Sequence, residues 1–140
     1  MKTRFFTQPL FFLIGTLGCM STISAQHDNR ISTIDYVQIL NNNKEEVVYY
    51  YQNNWKVLRE MAIQNGYIDS FQILELDPEE GLTFQLMLIT TYPDKSKYDL
   101  REDHFAKLIK EKGELKLLND KKPADFRKTS FSSEEVRHWN

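Results

Sequence analysis

The chain has 140 residues, with 18 Lys and Arg against 20 Asp and Glu, a formal net charge of −2 and 41% hydrophobic residues. That length holds one compact domain with a real core and not two, and the mild acidity argues against a surface built to grip nucleic acid or an anionic membrane. Cys19 is the only cysteine, so the chain has no internal disulfide and no thiolate cluster for a metal.

The first 25 residues read as a secretory signal peptide: Lys2 and Arg4, then the apolar run Leu10 to Met20, then Ser21-Thr22-Ile23-Ser24-Ala25 ahead of Gln26. Cleavage is expected after Ala25, with Ile23 and Ala25 as the residues the peptidase reads. A transmembrane anchor needs about 20 consecutive apolar residues, and Gly15, Thr16 and Gly18 interrupt a run that is already too short. Acylation at Cys19 is the other fate for this segment, but Leu17 stands one place too late for the usual lipoprotein pattern. The leader holds two of the basic residues and none of the acidic ones, so 26–140 is left as one domain of 115 residues with a formal charge of −4, soluble and without a membrane span.

Ile31 to Leu40 is rich in β-branched and aromatic residues and predicts a first strand. Asn43 is placed to cap the helix that follows, with Glu45 and Glu46 in its first turn. From Lys44 to Asn65 a stripe of Val47 or Val48, Tyr51, Trp55, Leu58 and Ala62 predicts a long amphipathic helix, closed by Gly66. Its other face, with Lys56, Arg59, Glu60 and Gln64, is expected in water. Tyr67 to Leu76 and Leu82 to Tyr92 predict a hairpin across Asp77-Pro78-Glu79-Glu80-Gly81. In its second arm Leu82, Phe84, Leu86 and Leu88 should meet the helices, leaving Thr83, Gln85, Met87, Ile89 and Thr91 on a mixed outer face.

Ser96 is the expected cap of a second helix, Lys97 to Lys112, whose stripe of Tyr98, Phe105, Leu108 and Ile109 also passes through Arg101 and Glu102. Phe126 to Phe131 predicts a short last strand, and Ser132 to Asn140 a helical turn. The order β, α, β, β, α, β predicts a ferredoxin-like α+β fold, an antiparallel sheet with both helices on one face and the other face bare. The core is expected over about 30–131.

With that order, the chain resembles the dimeric α/β-barrel superfamily, which includes the antibiotic-biosynthesis-type monooxygenases, and more narrowly a group of secreted bacterial proteins of unknown function. The stretches that carry the resemblance are Trp55-Lys56-Val57-Leu58-Arg59-Glu60, Asn65-Gly66-Tyr67-Ile68, Leu86 to Tyr92 with Asp94, Arg101-Glu102 with Phe105, and Leu117-Leu118-Asn119-Asp120-Lys121-Lys122-Pro123 into Phe126-Arg127. It implies a homodimer in which two bare sheet faces meet. Haem-degrading members use an Asn from the first strand, a Trp from the third and a His from the second helix; here only His104 fills its role. Cofactor-free oxygenases use Asn, Trp and Arg, and Asn53, Asn54, Trp55 and Arg59 supply those types without a recognisable spacing.

The candidate residues each have a structural reading. Trp55 lies mid-stripe, where a core anchor and a ligand-stacking ring are both possible. His104 is a lone imidazole without ligand spacing, and His27 and His138 are too far apart in sequence to suggest a metal pair. Arg101 and Glu102 beside an apolar stripe need partners, and Arg127 is the cation expected for Glu102. Gln85 and Met87 are the candidates for contact with a ligand on the bare face. No phosphate loop, nucleophile elbow or metal-ligand cluster occurs. The expectation is a secreted or periplasmic, non-catalytic module needing no cofactor, which dimerises or binds a small apolar ligand over its open face. The alternative is a cofactor-free or haem-dependent monooxygenase with Trp55, Arg101, Glu102 and His104 nearest the chemistry.

Overall fold

A computed structural model describes residues 28–77, 81 and 83–139. The expected signal peptide, Cys19, His27, Leu82 and the middle of the hairpin turn lie outside the described residues. The elements are β1 (Ile31–Ile39), α1 (Lys44–Tyr50), a π turn (Tyr51–Trp55), α2 (Lys56–Gln64), β2 (Ser70–Glu75), β3 (Leu86–Tyr92), α3 (Lys95–Asp99), α4 (Arg101–Lys112), α5 (Pro123–Phe126) and β4 (Arg127–Arg137). The fold is α+β, with one four-stranded sheet of order β2-β3-β1-β4. Every neighbouring pair is antiparallel, so β1 and β2 run parallel with β3 between them, and β3 and β4 run parallel with β1 between them.

The long first helix runs from Lys44 to Gln64 as expected, with one turn widened. That turn suits its sequence. The side-chain amides of Asn53 and Asn54 donate to the carbonyls of Tyr49 and Tyr50 at 2.9 and 3.0 Å, the carbonyls that their own backbone N–H groups would use in an α-helix. Val47, Tyr51, Trp55 and Ala62 are buried from one end of the stripe to the other, while Val48 faces water. Asn43 stands at the cap position without a capping hydrogen bond; its amide is engaged by the Asp125 carbonyl and by Lys121 instead. At the far end Gly66, at φ +65°, allows its N–H to reach the Ile63 carbonyl and the Tyr67 N–H to reach that of Ala62, both at 2.9 Å. This pair of bonds closes the helix in a left-handed turn that strongly favours glycine.

Four expectations fail for local reasons. The second helix is capped by Asp94, not Ser96: the Asp94 carboxylate accepts from Lys97 N–H at 2.9 Å, and the helix breaks at Leu100 before resuming as α4. A charged acceptor on an extended residue is the stronger cap. Phe84 was expected beneath the helices, yet it lies against Tyr36 and Phe131 on the bare face. β3 begins only at Leu86, so the alternation read through Phe84 does not apply there. Of the helical turn expected over Ser132 to Asn140, Ser132 to Arg137 is strand: β4 pairs with β1 as far as Ile31↔Arg137, with two register shifts. Those bulges scramble the period-two pattern by which a strand is read. Ile109, placed in the apolar stripe, is 54% exposed.

The core has two parts. Val37, Val47, Tyr51, Trp55, Leu86, Leu88 and Phe126 form one cluster, and Ile31, Ala62, Ile68, Tyr92, Tyr98 and Leu108 form the other. The β1–β3 register sets Asp35 opposite Leu88 and Thr33 opposite Thr90. By the strand period these residues share the helix-facing side with Val37 and Ile31. A polar seam therefore crosses the sheet between two apolar halves.

Candidate functional site

The seam opens to the surface in a crevice of about 270 Å³ lined by Thr33 and Asp35 of β1, Tyr92 of β3, Leu58 and Arg59 of α2, Arg101, Glu102, Phe105 and Ile109 of α4, and Glu134 of β4. Arg59 lies at its inner wall. Its guanidinium carbon is 4.2 Å from the Trp55 ring centroid and 4.4 Å from that of Phe105, and its Nε donates to Thr90 Oγ1 at 3.3 Å. Spacing explains the first contact: residues four apart on a helix lie one above the other, so Arg59 covers the indole of Trp55. Arg59 makes no ion pair with a described carboxylate, and burial pulls its guanidinium down to about 10.

Charges at the mouth are matched. Arg101 lies 4.2 Å over the Tyr98 ring, and its guanidinium is 3.6 Å from both Glu102 Oε1 and Glu134 Oε2. The Tyr98 hydroxyl donates to Glu134 Oε2 at 2.7 Å, and burial pushes that hydroxyl up to about 12. Asp35 is less provided for. It accepts from Ser132 Oγ at 2.5 Å and makes no ion pair with a described cation.

A second cavity of about 280 Å³ shares Leu58, Arg59 and Ile109 with the crevice and continues past Asn54 and Lys112. Asn54 is buried and fully used there. Besides Tyr50 it donates to the Lys116 carbonyl at 2.7 Å, while its Oδ1 accepts from Lys116 N–H at 2.8 Å and Lys112 Nζ at 2.9 Å. It thus fastens the segment after α4 to the widened turn. Farther along the sheet, Arg127 packs 4.7 Å over the Tyr50 ring and donates to the Tyr50 hydroxyl at 3.2 Å. Burial pushes the neighbouring Tyr51 hydroxyl up to about 12.

Among the described residues no helix lies on the opposite face of the sheet. Tyr36 stacks on Phe131 with centroids 4.0 Å apart, and Phe84 meets both rings edge-on at 4.8 and 5.6 Å. By register Leu74, Met87 and Tyr36 lie in one line across three strands, and Ile89 and Ile34 lie beside them. Phe131 is 48% exposed. At one end of this face Ser32 Oγ sits 2.8 Å from both Thr91 Oγ1 and His138 Nε2.

The chain matches no protein-family model, no curated protein and no solved structure. Among the described residues no group of three His, Cys, Asp or Glu is placed to hold a metal, and no helix is long and apolar enough to cross a membrane.

The structure divides the residues singled out from the sequence. Arg101 and Glu102 stand at the crevice mouth, and Trp55, 8% exposed, is a core ring that backs Arg59. His104 is elsewhere: its ring stacks on Tyr67 at 3.8 Å, it does not line the crevice, and burial lowers its basicity. His104 is therefore not placed to ligate a haem iron in this crevice. Gln85 uses its side-chain carbonyl to accept from Ile39 N–H at 2.8 Å, and Met87 lies on the bare face.

The pairing expected between Glu102 and Arg127 does not form. The Glu102 side chain is 86% exposed beside Arg101, and Arg127 is held by Tyr50. Arg59, expected in water, is the most consequential correction. Sequence reasoning also passed over Asp35, and it weighed Asn54 only as a residue type without a recognisable spacing. Asp35 stands in phase with Ile31, Thr33 and Val37 as the one charge of the strand, which is the signal that could have found it.

Proposed function

We propose that this protein is a secreted or periplasmic, non-catalytic module with the ferredoxin-like arrangement of the dimeric α/β-barrel type, and that it pairs with a second copy through its bare sheet face. The fold part of this reading is supported by the two parallel strand pairs, each with a third strand inserted between them. Export rests on the leader seen in the sequence.

The observation that carries the dimer is the Tyr36–Phe84–Phe131 cluster on a face without helices. Aromatic surface left in water forgoes about 25 cal/mol per Å² of burial, and contiguous patches of this kind mark interaction surfaces. The occupant best suited is another copy. The rows Ile34 and Tyr36, then Met87 and Ile89, then Gln72 and Leu74 carry no charge, so a two-fold self-contact centred there brings no like charges together; Arg30, Arg137 and His138 stand at the end of the face, beside Ser32 and Thr91.

Light scattering on the purified mature protein tests this. A dimer is expected at micromolar concentration, converted to monomer by Tyr36→Glu or Phe131→Glu; a wild-type monomer throughout that range overturns the proposal. N-terminal sequencing of the exported protein should give Gln26 as the first residue, and an acylated Cys19 would contradict it.

A further inference from the structure

The crevice holds two opposite charges that do not meet. Arg101 is matched by Glu134 and Glu102, which leaves Arg59 and Asp35 as lining groups of the same cavity, neither in an ion pair with a described residue. Arg127 and Lys112, two further cations on this side of the sheet without a described carboxylate partner, pack on Tyr50 and Tyr51 and bond to Asn54 respectively, and neither lines the crevice. A desolvated ion without a counterion is costly. Arg59, desolvated by burial, and the more open carboxylate of Asp35 line one cavity of about 270 Å³, and an occupant carrying both charges would answer both.

We propose that the crevice binds a small zwitterion of the α-amino acid type with an apolar side chain, its carboxylate on Arg59 and its ammonium group on Asp35. A plain anion would satisfy Arg59 and meet Asp35 as a like charge. A plain cation would do the reverse. The third wall sets the side chain: Leu58, Phe105 and Ile109 are apolar, and Trp55 and Phe105 hold the guanidinium between their rings, so Arg59 is oriented before a ligand arrives. Thr33 is a further hydroxyl on the same lining. The proposal does not depend on the dimer, since the crevice lies on the helix-covered side of the sheet.

Titration calorimetry of the exported protein with L-leucine and L-phenylalanine, and with 3-phenylpropionate and 2-phenylethylamine as probes lacking one charge each, decides the matter. At least one amino acid should bind, and each singly charged probe should bind weaker by about tenfold or more, because it leaves one charge of the crevice unanswered. Arg59→Gln and Asp35→Asn should each remove amino acid binding while the thermal melt stays cooperative. If either variant fails to fold, the probe series on the wild-type protein still decides. No heat from either amino acid up to about 10 mM, or 3-phenylpropionate binding as tightly as phenylalanine, overturns the proposal; the second result would make the crevice an anion site.

Discussion

The two sides of the sheet distribute polarity against their exposure. Beneath the helices, where a domain usually stores its apolar side chains, Thr33, Asp35 and Thr90 line up with Arg59 between two apolar clusters. On the side where no described helix lies, three aromatic rings pack on one another, with Phe131 half exposed. The contrast separates two jobs that burial can do. The covered side trades part of its core for a place where the Arg59 charge is desolvated and held in position, and the bare side carries the apolar surface that contact with another molecule would bury.

The covered side should respond most strongly to substitution. Trp55→Ala removes a buried ring that touches Phe71 edge-on and supports Arg59, and should cost about 3–5 kcal/mol in denaturant unfolding. A wild-type melt with amino acid binding lost would place Trp55 in the site rather than the core. Asn54→Ala leaves the Lys116 N–H and carbonyl without their partner and should cost roughly 1–2 kcal/mol, from the hydrogen bonds of a buried amide. Exchange of the Lys116 amide with solvent should quicken in parallel.

On the bare side, Phe131→Ser should leave the stability of the monomer within about 1 kcal/mol, with sedimentation showing the loss of self-association. A large stability loss in monomer would blur the distinction between the faces. Away from both sides, Glu46 is held at about 2 against an ordinary 4.5, first by its hydrogen bond from Lys121 and then by that from Asn119. Its contribution is present above pH 4.5 and is lost as pH falls from there through 2. Glu46→Gln should therefore shallow the acid limb of a stability–pH curve and leave its shape unchanged above pH 5, as read by thermal melts. Smallest of all, Glu102→Gln and Arg127→Gln should combine additively in a double-mutant cycle, with Glu102→Gln alone under about 0.5 kcal/mol, because the two side chains have other neighbours.

Much of the fold could be read from the residues themselves. The apolar stripe of the long helix, the glycine that ends it and the alternation of Leu86 and Leu88 are local signals, and all three stand in the structure. What stayed hidden depends on tertiary context. β4 beyond Phe131 is strand because β1 pairs with it, and its bulges erase the alternation. Arg59 stands four residues after Trp55, yet as a cation it reads as solvent-facing, and only the arrival of Phe105 from α4 turns it into an inner wall. Of the crevice, Arg101 and Glu102 were found because charge beside a stripe is conspicuous; Asp35, although in phase with Ile31 and Val37, was passed over because the alternation of that strand is loose.

The widened turn at Tyr51–Trp55 makes the long helix behave like a shaft with an adjustable setting. Each residue of an α-helix advances the angle by about 100°, so deleting Asn53 would rewind that turn and rotate everything from Lys56 onward by about that amount relative to α1. Arg59 would swing off the crevice and a neighbour would take its bearing, although hydropathy, charge and every remaining side chain were unchanged. The location of the site is thus recorded in how many residues precede it as much as in which residues they are.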